Sequence, residues 1–173
     1  MSKWYMLTVV GQDRPGIVAR VTSVLYQGGC NLGEASMLRL GGNFTIMLMV
    51  QYDGTGDALL ALLEPAVAEL DLHCHIDDIE GGLHRRLDPD VRVTVFGADR
   101  AGIVARVTTV LADAGMNILD LESDVVGSED KPIYVMHMEG RAARGVKALE
   151  SALAPVAEEG VEVRVSPIDT MMG

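Results

Sequence analysis

Aromatic residues are scarce. Two Phe, one Trp and four Tyr make up 4% of the 173 residues. Aromatic side chains supply much of the buried area in most cores, so this core has to be built from aliphatic residues and from the ten methionines. Cysteine is scarcer still. Cys30 and Cys74 cannot make a disulfide framework or a four-thiolate zinc site. Basic residues are outnumbered, 14 Lys and Arg against 25 Asp and Glu, for a net charge of −11. Gripping nucleic acid requires clustered cations that neutralise phosphates, and docking on an anionic membrane requires the same. Neither class fits. Long apolar runs are also missing. The longest charge-free stretches, such as Leu40 to Tyr52, cover 13 residues, too few to span a bilayer. The start, Met-Ser-Lys-Trp-Tyr-Met-Leu, reaches Asp13 and Arg14 without a signal-peptide core. What is present, 49% apolar and 23% charged residues, is a globular composition. The expectation is a soluble, acidic, cytoplasmic protein of one or two domains.

An internal repeat organises the chain. Residues 11–32 return as residues 97–118, an offset of 86, with 14 of 22 positions identical. Gly29 and Asn31 match Gly115 and Asn117. Further on, Glu64-Pro65-Ala66-Val67 matches Ala154-Pro155-Val156-Ala157 at an offset of 90. The second copy therefore carries four extra residues, expected in the turn-rich stretch Val126–Pro132, where lengthening a surface turn costs little. Solenoids need three or more shorter repeats. Two long copies instead predict two similar domains, 1–81 and 91–173, joined by a linker over 82–90, where the run Gly81 to Pro89 has two glycines, a proline and no periodicity. Residues 1–81 hold 4 basic and 10 acidic side chains, and residues 91–173 hold 8 and 13. Neither half is a basic arm.

Within the first copy, Trp4–Val10 reads as a strand. In the helix that follows, Ile17, Val21, Val24 and Leu25 fall on one stripe. Asp13 is its expected N-cap, Pro15 belongs to its first turn, and Gly28-Gly29 ends it. Ala35–Leu40 and Phe44–Tyr52 read as a hairpin about Gly41-Gly42-Asn43. Asp57–Leu70 reads as a second helix that Pro65 should kink or divide, and Leu72–Ile79 as a last strand. The second copy predicts Val91–Phe96, Ile103–Ala114, Leu119–Val126, Pro132–Glu139, Val146–Ala157 and Val161–Ser166. The order βαββαβ, twice, predicts an α+β chain: two ferredoxin-like units, each an antiparallel four-stranded sheet with its helices on one face. The third strand is apolar on both faces, through Phe44, Ile46, Leu48 and Val50 and through Met47 and Met49. A sheet with one solvated face alternates more cleanly, so part of the second face should be covered by the sister domain or another subunit.

Asp13-Arg-Pro-Gly-Ile-Val lies between first strand and first helix. A helix N-terminus presents unpaired N–H groups and a positive dipole end, suited to a carboxylate. Gly16 allows close approach to the backbone, Asp13 could hold an ammonium, and the Asn31 amide donates and accepts. Together they could bind a zwitterion. The plainer alternative is that Asp13 caps the helix and Gly29-Cys30-Asn31 turns the chain. His73-Cys74-His75, near Asp77 and Asp78, cannot converge on a metal, because alternate residues of a strand point to opposite faces. No metal site and no cofactor is expected. His84-Arg85-Arg86 reads as a solvated basic spot. No Ser-His-Asp set, Walker loop or dinucleotide fingerprint is present, so no enzyme is expected.

The loop Asp-Arg-Pro-Gly-Ile-Val, then Gly29-x-Asn31-Leu32 and β-β-α-β, resembles the ACT domain, a regulatory module of amino-acid metabolism, and the resemblance spans both halves. Two copies without a catalytic domain resemble the free-standing ACT regulators, including the group that represses transcription of glycine cleavage. The resemblance implies amino-acid binding at interfaces between ACT domains, with glycine or serine favoured. The matching positions are Asp13, Arg14, Pro15, Gly16, Ile17 and Asn31, and in the second copy Asp99, Gly102, Ile103 and Asn117. Ala101 replaces Pro15 there, which makes equal affinity of the two sites doubtful. The functional expectation is a homodimeric amino-acid sensor that signals to a protein partner, such as a DNA-binding activator, without touching DNA itself. The alternative is a ligand-free module whose ACT pairing only makes a dimer.

Overall fold

In β1 (Lys3–Gln12), Tyr5, Leu7 and Val9 are buried, alternating with more exposed neighbours. The structure is a computed structural model and describes residues 2–79, 87–98 and 102–168. The chain divides into two compact units, Met1–Arg85 and Arg86–Gly173. The first runs β1, α1 (Ile17–Gln27), β2 (Asn31–Leu40), β3 (Asn43–Tyr52), α2 (Gly56–Glu69) and β4 (Leu72–Ile79). The second runs β5 (Val91–Ala98), α3 (Ile103–Asp113), β6 (Met116–Ser128), β7 (Lys131–Ala142), α4 (Val146–Ala157) and β8 (Glu162–Pro167). Each unit is an α+β fold with one antiparallel sheet, ordered β2-β3-β1-β4 and β6-β7-β5-β8.

The helical stripe decides the packing. Ile17, Val21 and Leu25 of α1 and Leu59, Leu63 and Ala66 of α2 are buried. All but Ala66 share one cluster with Leu7, Val9, Phe44, Ile46, Leu48 and Val50. Ile103, Val107 and Leu111 repeat the stripe in α3 over Val93, Val95, Met136 and Met138. Met136 and Met138 supply the bulk that aromatics provide elsewhere. One cross-link is also duplicated: Arg20 of α1 pairs with Glu69 of α2 at 2.8 Å, and Arg106 pairs with Glu159 at the matching place.

Several local expectations need correction. Asp13 does not cap α1. The cap position is Gly16 and no side chain bonds there, so Pro15 lies in the turn before the helix. Helix α2 is not divided at Pro65 but continues to Glu69, because buried Leu59 and Leu63 before the proline and Ala66 after it hold both parts on the sheet. Strand β2 begins at Asn31 rather than Ala35, with a bulge between Leu32 and Ala35. The four extra residues of the second copy lengthen a hairpin. In the first unit a two-residue turn, Gly41-Gly42 with φ of 57° and 77°, joins β2 to β3, the left-handed pair that a tight hairpin requires. In the second unit Gly127 pairs with Pro132 and Ser128 with Lys131, moving the turn out to Glu129-Asp130.

The doubly apolar face belongs to the first unit. Met6, Thr8, Val10, Met47 and Met49 lie on the side of the sheet away from the helices. The corresponding side of the second unit carries Arg92 paired with Glu139, together with His137, Glu122 and Asp124.

Gly140 shows how closely β6 and β7 approach. A Cβ there would collide with the backbone oxygen of Asn117 and stand 2.9 Å from Met116 Cε. Gly140→Ala should therefore destabilise the protein by about 1–3 kcal/mol, the usual cost of overpacking. The measurement is a lower urea midpoint at unchanged slope.

Candidate functional site

Both first helices start in the same unusual way. Gly16 has φ 89° and Gly102 φ 87°, and no side chain caps either helix. Only glycine adopts this left-handed conformation at little cost. A Cβ at either position would meet nothing within 4 Å, so the space before each N-terminus is open. The first-turn N–H groups of a helix have no intrahelical acceptors. An uncapped, open N-terminus therefore presents donors and a positive dipole end to an anion.

Asp13 sits beside this opening, held by two contacts to the β2–β3 hairpin. Its backbone N–H donates to the Gly42 carbonyl at 3.1 Å. Its carboxylate Oδ2 lies 2.6 Å from Arg39 Nη2, with Asp13 at 27% and Arg39 at 68% side-chain exposure. Asp13 thus anchors the loop to the sheet edge instead of capping α1. Arg39 has no part in the sequence-based site. A signal for it existed: at the 86-residue offset Arg39 faces Val125, and residues 1–81 contain only three other cations, Lys3, Arg14 and Arg20.

Asn31 is not brought to Asp13. It opens β2 opposite Gln51, which pairs with Trp4, whereas Asp13 follows Gln12 at the other end of β1. At about 3.3 Å per strand residue the two lie roughly 25–30 Å apart, so one domain cannot hold a zwitterion between them. Asn31 Nδ2 donates to Gln51 Oε1 at 3.4 Å. Arg14 and Pro15 are exposed on the loop. Ile17 and Ile103 turn their side chains into the cores, leaving only their backbone N–H groups for a ligand. Asn117 repeats Asn31, exposed near the start of β6 and paired in register with Arg141. Asp99 and Ala101, like His84-Arg85-Arg86, lie outside the described residues.

The remaining candidates separate. His73 and His75 lie on the outer face of β4, opposite Val10 and Thr8, while Cys74 packs against the core. His75 Nε2 is 3.0 Å from Asp77 Oδ1. Among the described residues no three His, Cys, Asp or Glu side chains come together as metal ligands. Burial pushes the Cys74 thiol up to about 11 and raises Cys30 as well, so neither is an activated nucleophile. Grooves run between α2 and β4, beside Thr55, Leu60 and Cys74, and between α4 and β8, beside Leu153, Ala157 and Val163. None of these contains Asp13, Gly16 or Asn31. Among the described residues no helix is long and apolar enough to cross a membrane.

Two βαββαβ units, each with an open helix N-terminus beside its first loop, define a tandem regulatory-domain protein. ACT-domain models match residues 5–77 and 91–154. The chain belongs to the ACT-domain family and is a regulatory, non-enzymatic member of it. It is 27% identical over 137 residues to the glycine cleavage system transcriptional repressor of Escherichia coli, covering 79% of this chain and 72% of that protein. It is 36% identical over 81 residues to a UPF0237 protein of Methanosarcina mazei, covering 44% of this chain and 84% of that protein. A crystal structure of an unknown protein from Galdieria sulphuraria superposes with a TM-score of 0.79 at 25% identity, covering 98% of this chain and all of that one.

Proposed function

We propose that this protein senses a small amino acid, glycine or serine, and signals to a protein partner that controls transcription of amino-acid metabolism such as glycine cleavage. It works in the cytoplasm, beside the transcriptional machinery it serves. The observation that carries this reading is the uncapped, open N-terminus of α1 with Asp13 held beside it. Similarity to the Escherichia coli repressor supports the regulatory direction. Because Asp13 and Asn31 lie at opposite ends of one sheet, a zwitterion would be shared between two copies of the chain. An ACT domain turned end for end brings the Asn31 end of one copy to the Asp13 loop of the other. The ligand carboxylate then meets the α1 N–H groups, and its ammonium meets Asp13 and the partner's amide. Binding favours this paired arrangement over others, and the partner protein distinguishes them.

A thermal-shift screen of the twenty amino acids tests the reading. Ligand at about 100 times its dissociation constant should add roughly 2.7 kcal/mol of stability, a shift of several degrees. If no amino acid raises the melting temperature, sensing is excluded. The remaining reading is then a ligand-free pairing module, favoured by the exposed Met37, Leu38 and Leu40 on edge strand β2. With a net charge of −11, the purified protein should give no salt-resistant, sequence-specific gel shift, because DNA affinity depends on cation–phosphate contacts. Such a shift would replace signalling through a partner with direct DNA binding. Sedimentation should show a dimer in the micromolar range, and a strict monomer would exclude the shared site.

A further inference from the structure

We propose that the groove between α2 and β4 of the first unit docks an extended basic segment of a partner protein, which pairs with β4 as an added strand. This goes beyond the amino-acid site and stands without it, since the groove contains no residue of the Asp13 loop. β4 is the outer strand of its sheet, paired with β1 on one side. Among the described residues no strand pairs with its other side. An open strand edge presents a row of unpaired N–H and C=O groups, a template for another extended chain. Beside that edge runs a groove of about 460 Å³ that continues into one of about 340 Å³, and the two share Asp57, Leu60 and Cys74. Its floor is apolar, with Leu60 of α2 exposed and Cys74 and Ile76 half-buried. From Leu72 to Asp78 the edge is roughly 20 Å long, the reach of a strand of about six residues.

Charge names the occupant. Asp57 and Asp78 stand at one end of the groove and Glu64 at the other. None of the three has an ion-pair partner among the described residues. Among the described residues that line the groove, Lys3 is the only Lys or Arg. β4 itself carries no Lys or Arg, so the same edge of a second copy brings no cation to these acids. A segment with apolar residues at its centre and a cation at each end fits both the floor and the rim. The second repeat provides the internal contrast. Its groove lies between α4 and β8, with Val163 and Val165 in the places of Cys74 and Ile76. Lys147, Ala154 and Pro167 occupy the places of Asp57, Glu64 and Asp78. The charges lining that groove, Glu150 and Arg164, balance. Pro167 ends β8 after six residues, and a short strand with a proline is a usual guard of a sheet edge. The acidic, open edge is therefore a feature of the first repeat.

The peptide acetyl-Lys-Thr-Val-Thr-Val-Thr-Lys-amide is the probe, titrated into the full chain without amino acid and read by two-dimensional amide spectra. Millimolar peptide should shift the amides of β4 and α2 and leave those of β8 and α4 in place. Asp57→Asn, Glu64→Gln and Asp78→Asn together should weaken binding roughly tenfold, since an exposed ion pair contributes up to about fivefold. Asp120→Asn, Glu122→Gln and Asp124→Asn remove the same charge from β6 and should leave the affinity unchanged. All six positions are exposed, so both triple variants stay folded, which circular dichroism verifies. N-methylation of the peptide backbone at its odd or at its even residues should abolish binding in one case only, because alternate residues of a paired strand turn their N–H groups to opposite sides. Absence of binding, equal weakening in both triple variants, or tolerance of both methylated peptides would overturn the proposal. Shifts of the β4 amides that depend on protein concentration without peptide would overturn it too, by showing a second copy in the groove. None of these outcomes bears on amino-acid sensing, which the thermal-shift screen decides separately.

Discussion

Asp13→Ala should weaken amino-acid binding by roughly 10- to 150-fold while leaving the fold almost as stable as before. The binding loss follows from removing a charged partner of the ligand ammonium, worth about 1.5–3 kcal/mol, with about 1.4 kcal/mol per factor of ten. The small effect on stability follows from where Asp13 sits. Were it the N-cap of α1, its loss would cost about 1 kcal/mol. The helix begins at Gly16 with no side-chain cap, and Asp13 makes a largely exposed pair with Arg39, a type of contact worth about 0–1 kcal/mol. Asn31→Ala should weaken binding in the same way with little loss of stability, because among the described residues its side chain bonds only to Gln51 Oε1, at 3.4 Å. Titration and denaturant melts on the same preparations separate the two effects. Normal binding by both variants would place the ligand elsewhere, and a large stability loss in Asp13→Ala would show that the loop is chiefly a structural clamp.

Leu63→Ala should cost about 2–5 kcal/mol, the range for deleting a large buried aliphatic side chain. Leu63 is fully buried under α2, packed with Leu7, Leu25, Leu59 and their neighbours in the first core. The second core contains no residue of the first unit. The loss should therefore appear as faster amide exchange through β1, β3, α1 and α2, with β5, β7, α3 and α4 holding their protection. Uniform loss across both units would show that the two cores unfold together. Against a typical total stability of about 5–15 kcal/mol, the change is large enough for a urea melt to resolve.

Most of the architecture was legible from periodicity. The stripe Ile17, Val21, Leu25 and its copy Ile103, Val107, Leu111 each needed a surface to bury. The β-prone runs before and after could supply it only as a sheet, and the repeat doubled the evidence. Strand β4 and helix α4 have the expected ends, Leu72–Ile79 and Val146–Ala157. Misreadings fell where a local rule had a tertiary competitor. An Asp four residues before a helical stripe looks like a cap, yet an arginine 26 residues later reaches it across the hairpin turn. A proline inside a helix looks like a break, yet buried Leu59 and Leu63 before it and buried Ala66 after it keep α2 whole.

The site divides along the same line. By itself, the sequence determined two copies of one fold, the order of strands and helices in each, and an acidic composition. These follow from composition, from spacing, and from the limits on what glycine and proline allow locally. Only the tertiary structure decided which of the candidate residues can meet. β1 carries Asp13 to one end of the sheet, and α1 returns the chain to the other end before Asn31. Two residues 18 apart in sequence are thereby separated by the length of a strand, whereas Asp13 and Arg39, 26 apart, touch because the hairpin folds back. Sequence separation measures neither distance, because antiparallel pairing reverses the chain at each turn.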